Sequence, residues 1–322
     1  MTAPTKDSTP QIDASHIVAR PFEGQDDYWK VRALLIETYP ITPVDFNWEI
    51  RRLDGSRYHN EDPELFAAWA QTIGLWETTD GHLVGAAHHE GLGNAFLQIH
   101  PDYRHLIEAE MIDWTEAHLT APEGDDGQRR LDFFVFDYDG PRQRLLAGRG
   151  YEKKPWFGKS RRLRFGNRPL PVPVVANGYV MRALRPGDDS EGDRMAALLN
   201  AAFNRTIHTG AEYRTFMAHS PSFEYDLHLV AEAPDGSFAA HVGMTVEDVN
   251  HYGIFEPVCT HPDHQRKGLA QALMFEGLHR FKARGATDVY VGSGDAVAAN
   301  ALYDSIGFTE AYKGHVWRKL FD

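Results

Sequence analysis

The sequence predicts an α/β (α+β) protein made of two tandem copies of one unit. Three observations carry this. Short apolar strand patterns alternate with amphipathic helical ones along the whole chain. The punctuation between them recurs in order: Asp80-Gly81 matches Asp235-Gly236, Ile99-His100-Pro101-Asp102-Tyr103 matches Thr260-His261-Pro262-Asp263-His264, and Gly150-Tyr151 matches Gly307-Phe308. The offset is ~160 residues each time, far beyond solenoid periods, so it marks a duplicated domain. Finally, residues 166–178, with Pro169, Pro171 and Pro173, read as a semi-rigid linker between 16–165 and 179–322.

In the first copy, 16–23 reads as a strand and 26–38 as a helix with Trp29, Leu34 and Leu35 toward a core. Residues 40–63, rich in proline, aromatic and charged side chains, read as irregular, and 64–73 as a second helix. A hairpin turns at Thr79-Asp80-Gly81, and a strand follows at 95–99. A helix at 106–119, a strand at 131–136 and a short helix at 142–146 come next, and Gly150-Tyr151 opens a last hairpin. The second copy repeats the order: strand 179–184, helix 191–203, a hairpin about Pro234-Asp235-Gly236, strand 252–260, helix 269–284, strand 288–291, helix 296–305 and a closing strand at 313–320.

With 322 residues, 42% apolar and 25% charged, the chain is long enough for two ordinary globular domains. No apolar run approaches the ~20 residues that span a bilayer, so no membrane partner is expected. Residues 1–15 lack a hydrophobic core and read as a loose tail, not a leader. One cysteine, Cys259, forms no intrachain disulfide and fits a reducing cytoplasm. A net charge of −13 argues against nucleic-acid binding and is compatible with amine substrates. The sequence carries no signal for oligomeric state.

The chemistry-bearing stretch is 261–284. A strand ending Val258-Cys259-Thr260 leads through a polar turn, Gln265-Arg266-Lys267-Gly268, into a helix opening Leu269-Ala270. First-turn N–H groups lack intrahelical partners, and the helix dipole adds partial positive charge, so this is an anion cradle. Gly268 permits close backbone approach, and Arg266 and Lys267 add full charges that fit a phosphate role. The string resembles the (Q/R)-x-x-G-x-(G/A) signature of the GCN5-related N-acetyltransferases (GNAT), with Gln265, Gly268 and Ala270 at its defined positions. The later run Asn300-Ala301-Leu302-Tyr303, followed by Gly307-Phe308, is similar to the segment that ends that family's cofactor site. The resemblance covers 179–322 well and the first copy weakly.

It implies a mixed, mostly antiparallel sheet flanked by helices in each copy. It implies acetyl-CoA as cosubstrate, bound by Val258, Cys259, Thr260, Gln265, Arg266, Lys267, Gly268, Leu269, Ala270, Asn300 and Tyr303. The splayed strands 252–260 and 288–293 would hold the pantetheine arm. Tyr303 is the candidate acid for the departing thiolate. Glu256 is a candidate base for the amine if its register points it to the cleft, and His241 and His251 are alternatives. Asn300, one turn before Tyr303, would bond pantetheine or sit in solvent. Cys259 has no His or Asp partner legible from sequence and reads as a core thiol.

Laid on the second copy, the first places Ile107 at Gly268, flanked by Glu108 and Glu110, and Leu146 at Tyr303. A branched side chain blocks the cradle and two carboxylates repel a pyrophosphate, so the first copy reads as degenerate. One live copy in tandem resembles the mycothiol synthase arrangement. The expected activity is direct acetyl transfer to a primary amine of a small molecule. The alternatives are a non-catalytic acyl-CoA or ligand sensor, or acetylation of a peptide or protein amine. Arg205, Glu212, Tyr213, Glu224 and Asp226 are candidate acceptor-lining residues. No metal motif is present, nor a Walker loop or nucleophile elbow.

Overall fold

The first half runs β1 (Ile17–Pro21), α1 (Gln25–Thr38), α2 (Ile50–Tyr58), α3 (Pro63–Ala70), β2 (Gly74–Thr78), β3 (Leu83–His88), β4 (Asn94–Ile99), α4 (Arg104–His118), β5 (Ala121–Pro122), β6 (Arg129–Phe136), α5 (Gly140–Gly148) and β7 (Glu152–Arg164). The second runs β8 (Val180–Ala183), α6 (Ser190–Phe203), α7 (Gly210–His219), β9 (His228–Glu232), β10 (Phe238–Glu247), β11 (Tyr252–Thr260), α8 (Leu269–Ala283), β12 (Asp288–Ser293), α9 (Val297–Ile306) and β13 (Glu310–Phe321). This computed structural model describes residues 16–59, 63–124, 127–167 and 169–322. The expected tail 1–15 and Arg168 of the linker lie outside the described residues.

The strands form a single mixed, mostly antiparallel sheet ordered β1-β2-β3-β4-β6-β13-β7-β12-β11-β10-β9-β8, with β5 beside β6. Within each half one parallel pair, β4 with β6 and β11 with β12, is bridged by a helix, α4 or α8. The halves join by exchanging last strands. β13 pairs with β6 from Gly314↔Phe136 to Phe321↔Arg129, while β7 pairs with β12 from Asp288↔Arg164 to Ser293↔Lys159. β7 also pairs with β13. The hairpin expected after Gly150 is therefore one long strand whose partners come from the other half. Its cause is long-range: Gly158 and Gly314, side by side across β7 and β13, leave room for the Phe134 ring, which an added Cβ at either would meet within 3.1 Å.

Each half has its own core. Phe255, Leu273, Leu278, Phe281, Val289 and Phe308 centre the second, and Ile99, Ile107, Met111, Leu131, Phe133 and Leu146 the first. Full burial of each such side chain is worth ~1.5–3 kcal/mol. Trp29 is a correction: it is 45% exposed, while Leu34 and Leu35 are buried as expected. The stretch 40–63 also differs, for 50–58 is helical. Glu49 caps that helix, accepting the Arg52 N–H at 2.9 Å, and Asp54 is buried at 2.5 Å from the Tyr28 hydroxyl. Asp54 and Gly55 are poor helix formers, so tertiary contact and the cap hold a helix that propensity disfavours. α7, which carries the candidate acceptor-lining residues Glu212 and Tyr213, opens with a capping box of Thr209 and Glu212. Among the described residues, no helix is long and apolar enough to cross a membrane.

Candidate active site

The site begins where two parallel strands part. β11 and β12 pair from Tyr252↔Asp288 to Phe255↔Val291 and no further. Beyond that point β12 stays with β7, and β11 stays with β10. The local cause is a bulge: the β10–β11 register shifts between Val242 and Met244, opposite Glu256 and Pro257. Gly243 makes the bulge fit, because a Cβ there would stand 2.5 Å from the Glu256 carbonyl oxygen. Pro257 has no N–H to continue the ladder toward β12.

The three residues after the bulge divide by alternation. His261 donates its N–H to the Ala239 carbonyl, so Ala240 and Thr260 face each other as a non-bonded pair. Cys259 then exchanges both backbone bonds with His241, while Thr260 and Val258 turn their N–H and carbonyl groups into the gap. Of the expected backbone ligands, Val258 and Thr260 are available there and Cys259 is tied to β10. The Cys259 side chain is buried and its thiol is pushed up to about 12 by burial.

The cradle follows directly. Gln265, Arg266, Lys267 and Gly268 are all exposed. Arg266 and Gly268 both have left-handed backbones, φ 59 and 73, which turn the loop outward before the helix. Gly268 is the N-cap and offers no side-chain cap; the first helical bond runs from the Ala272 N–H to its carbonyl at 2.9 Å. The first-turn N–H groups are thus uncapped, and the space where a Gly268 Cβ would stand is open. Leu269 is buried and seats the helix start; Ala270 is half-buried. Lys267 is held by the Tyr179 hydroxyl at 2.7 Å, which also bonds His264 at 2.8 Å.

Tyr303 and Glu256 both line a cavity of about 1030 Å³ between the halves. Tyr303 is 5% exposed, and burial, with the Glu256 charge, pushes its hydroxyl up to about 12. Glu256 is exposed in the cavity and 3.3 Å from Arg51. Asn300 does not face open space: its oxygen accepts from Arg161 at 2.7 Å and Ser293 at 3.1 Å, and its nitrogen donates to the Gly294 and Ala296 carbonyls. It ties α9 to the end of β12. His241 is wholly buried, with Nδ1 on the Leu229 carbonyl, and His251 is exposed on the β10–β11 turn; neither lines the cavity. Arg205, Glu212 and Tyr213 line it, whereas Glu224 and Asp226 pair with Arg284 elsewhere.

The first half supplies cavity groups that sequence reasoning missed. Asp45, Glu49, Arg51 and Arg52 come from the stretch read as irregular. Glu49 is pushed up to about 8 by burial and the Glu256 charge. Arg161, on the exchanged strand β7, holds α9 through Asn300 and Asp304, at 2.5 Å from the latter. The strand exchange that brings these groups in was invisible locally; only the polar richness of 40–63 hinted at them.

The first half's equivalent of the cradle is closed. Its His-Pro-Asp turn runs straight into α4 at Arg104, so nothing corresponds to the outward loop 265–268. Ile107 is 1% exposed in the core. Glu108 is buried against Arg104 at 2.7 Å and Arg142 at 2.6 Å.

An acyl-CoA fits the second half on two counts: an uncapped glycine-led helix start and an unpaired strand edge leading to one cavity. Comparison with known proteins agrees. The profile of the Acetyltransferase (GNAT) family matches residues 193–308. A mycothiol acetyltransferase of Kineococcus radiotolerans is 31% identical over 275 residues, 81% of this chain and 86% of the relative. A tandem GNAT protein from the clavulanic acid biosynthesis pathway superposes with TM-score 0.62 at 16% identity, covering 94% of this chain and 98% of its own. A GCN5-related N-acetyltransferase from Sphaerobacter thermophilus gives 0.59 at 19%, covering 95% and 96%. The chain belongs to the GNAT family, as an acetyl-CoA-dependent N-acetyltransferase in tandem arrangement.

Proposed function

We propose that the protein moves the acetyl group of acetyl-CoA directly to a primary amine of a small molecule bound between its halves, in the cytoplasm. The observation that carries this reading is the single cavity joining the open edge of β11 to Glu256, Glu49 and Tyr303. The relative named a mycothiol acetyltransferase supports a small-molecule acceptor. The units are 16–165 and 179–322, joined by 166–178, with one live donor site, in the second.

Gln265, Arg266, Lys267, Gly268, Leu269 and Ala270 hold the pyrophosphate, by backbone N–H groups and two cations. Val258 and Thr260 pair with the pantetheine arm, while Cys259 and Asn300 brace the walls of the gap. The donor supplies an activated thioester. The amine must reach it uncharged, and Glu256 takes its proton, directly or through water. As the N–C bond forms and the C–S bond breaks, Tyr303 donates its proton to the leaving sulfur. A hydroxyl pushed up to about 12 is protonated throughout neutral pH, as an acid must be. No metal is invoked.

The test is calorimetry with acetyl-CoA, then thiol release across a panel of primary amines. One site per chain and amine-dependent thiol release are expected. Two sites would revive the first copy; an absence of binding would sink the reading.

A further inference from the structure

The two halves allow one strand position to be compared with its duplicate. In the second half, Thr260 turns its N–H and carbonyl toward the gap. In the first, Ile99 is its counterpart: it pairs with Gly85 as Thr260 pairs with Ala240, and His100 donates to Val84 as His261 donates to Ala239. Ile99 therefore also turns both groups toward a gap, between β4 and β6, whose pairing stops at Ala95↔Phe133.

That gap is occupied by the chain itself. Asn47 accepts the Ile99 N–H at 2.8 Å and donates to the Ile99 carbonyl at 3.0 Å. A side-chain amide thus reproduces the paired bonds of a neighbouring strand. Its nitrogen also donates to the Thr38 hydroxyl at 2.8 Å, and the adjoining Trp48 N–H goes to the Gln98 side chain at 2.7 Å. Just beyond, Glu49, Arg51 and Arg52 face the shared cavity. The same segment is tied to the second half, by Arg51 to Glu256 and by His59 to Glu212 at 3.0 Å.

We propose that the first half's splayed groove is filled by its own Asn47, and that the groove now serves as a socket presenting Glu49 to the acceptor's ammonium group. Asn47 is a positioning residue and Glu49 an acceptor-binding one. This rests on the acetyltransferase reading of the same cavity. The observed environment fits: Glu49 is held at the cavity wall with Glu256 opposing its charge and Arg51, Arg52 and Tyr252 nearby, and its carboxyl is pushed up to about 8 by burial and Glu256. A cationic ligand would relieve that strain on its charge.

The experiment is a carbon-13 NMR titration of the glutamate carboxyls in the full chain with coenzyme A bound, assigned by loss of the signal in Glu49→Gln. Butylammonium is the probe, with potassium at equal ionic strength as control. In the wild type, Glu49 is expected to titrate far above an ordinary glutamate, and butylammonium to lower its midpoint by at least half a unit where potassium does not. Asn47→Leu is expected to move the midpoint toward the ordinary range and remove the butylammonium response, while coenzyme A affinity stays within twofold. An ordinary midpoint in the wild type, or no response beyond that to potassium, overturns the role of Glu49. An Asn47→Leu protein that binds coenzyme A and titrates like wild type overturns the socket. Should Asn47→Leu lose coenzyme A affinity, Asn47→Asp, which keeps the acceptor and removes the donor, decides the same point. Failure of coenzyme A to bind the wild type would instead be the failure of the acetyltransferase reading.

Discussion

Two helices of this protein start after the same His-Pro-Asp turn and do different things with their first turns. α8 begins only at Leu269, after residues 265–268 have swung outward through two left-handed positions, and its N–H groups stay open. α4 begins at once, at Arg104, and its first turn is packed with Ile107 and with Glu108 between two arginines. The lesson is that an anion site at a helix start needs more than the dipole. Neither helix start carries a side-chain cap, so what sets α8 apart is the outward loop that delays its start.

The sharpest way to break this comparison is to give the second half one feature of the first. Gly268→Glu places a carboxylate in the open space over the first turn. The left-handed backbone costs such a residue only ~1 kcal/mol, so the fold should survive, with thermal melting within a few degrees of wild type. Acetyl-CoA affinity should fall at least about a hundredfold, since a like charge at phosphate distance is strongly unfavourable in a cradle. Calorimetry on both proteins checks it; near-wild-type affinity would mean that the cradle is not where the donor's phosphates sit.

The next effect concerns Tyr303, whose counterpart by sequence is the apolar Leu146. Tyr303→Phe keeps the ring packing and removes the hydroxyl. The turnover number should fall by ~10²-fold, in the range for a single general acid, with the KM for acetyl-CoA nearly unchanged. In the wild type, a hydroxyl at about 12 predicts no loss of rate from its deprotonation up to about pH 10. Steady-state thiol release from pH 6 to 10 separates the outcomes. Equal turnover by the two proteins would return Tyr303 to a core role.

These contrasts show what sequence can and cannot carry. Gln265, Gly268 and Ala270 could be singled out because a backbone-built anion site demands particular residues at fixed local spacing, and they stand at an outward loop and a helix start. Ile107 and Glu108 could be singled out in the first copy for the same reason, and both are buried there. The long strand β7 was not, because its partners β12 and β13 lie more than a hundred residues away and no local turn announces them. Nor was α2, whose Asp54 and Gly55 argue against a helix until Tyr28 and the Glu49 cap are in place. Asn300 was legible as important but not in its role: its amide is engaged by Arg161, which arrives with the exchanged strand. Local backbone features of the candidate site could thus be read from sequence, and the cavity groups brought together by strand exchange could not.

A smaller effect tests the first half as structure alone. Burial opposes the charge of Glu108, but Arg142 and Arg104 outweigh it and hold the carboxyl below the usual glutamate range. A depressed folded value contributes stability above the unfolded value, ~4.3, which is lost as pH falls through the folded one. Glu108→Gln should therefore destabilise the protein by about 2 kcal/mol at pH 7, by weakening a buried charged pair. The difference from wild type should shrink as pH falls below the unfolded value and on through the depressed folded one, where wild-type Glu108 itself becomes protonated. Denaturant unfolding at pH 7 and at successively lower pH measures it, and calorimetry should find acetyl-CoA affinity unchanged at pH 7. Tighter or additional acetyl-CoA binding in this variant would show the first turn of α4 to be a masked donor site after all.

The smallest expected effect falls on Cys259, which sits between Val258 and Thr260 yet belongs to the core. Its backbone is bonded to His241 rather than to the gap, its side chain is 6% exposed, and burial pushes the thiol up to about 12. At pH 7.5 a negligible fraction is thiolate, which is the reactive form. Iodoacetamide should thus leave both mass and turnover unchanged over an hour, and Cys259→Ala should retain turnover within about twofold, at a stability cost set by its small side chain. Mass spectrometry after incubation with acetyl-CoA alone should find no acetylated protein, as the proposed direct transfer to the amine requires. An acetyl adduct on Cys259, lost on adding an amine, would replace direct transfer with a two-step route and would put the nucleophile on the strand beside the gap rather than in the acceptor.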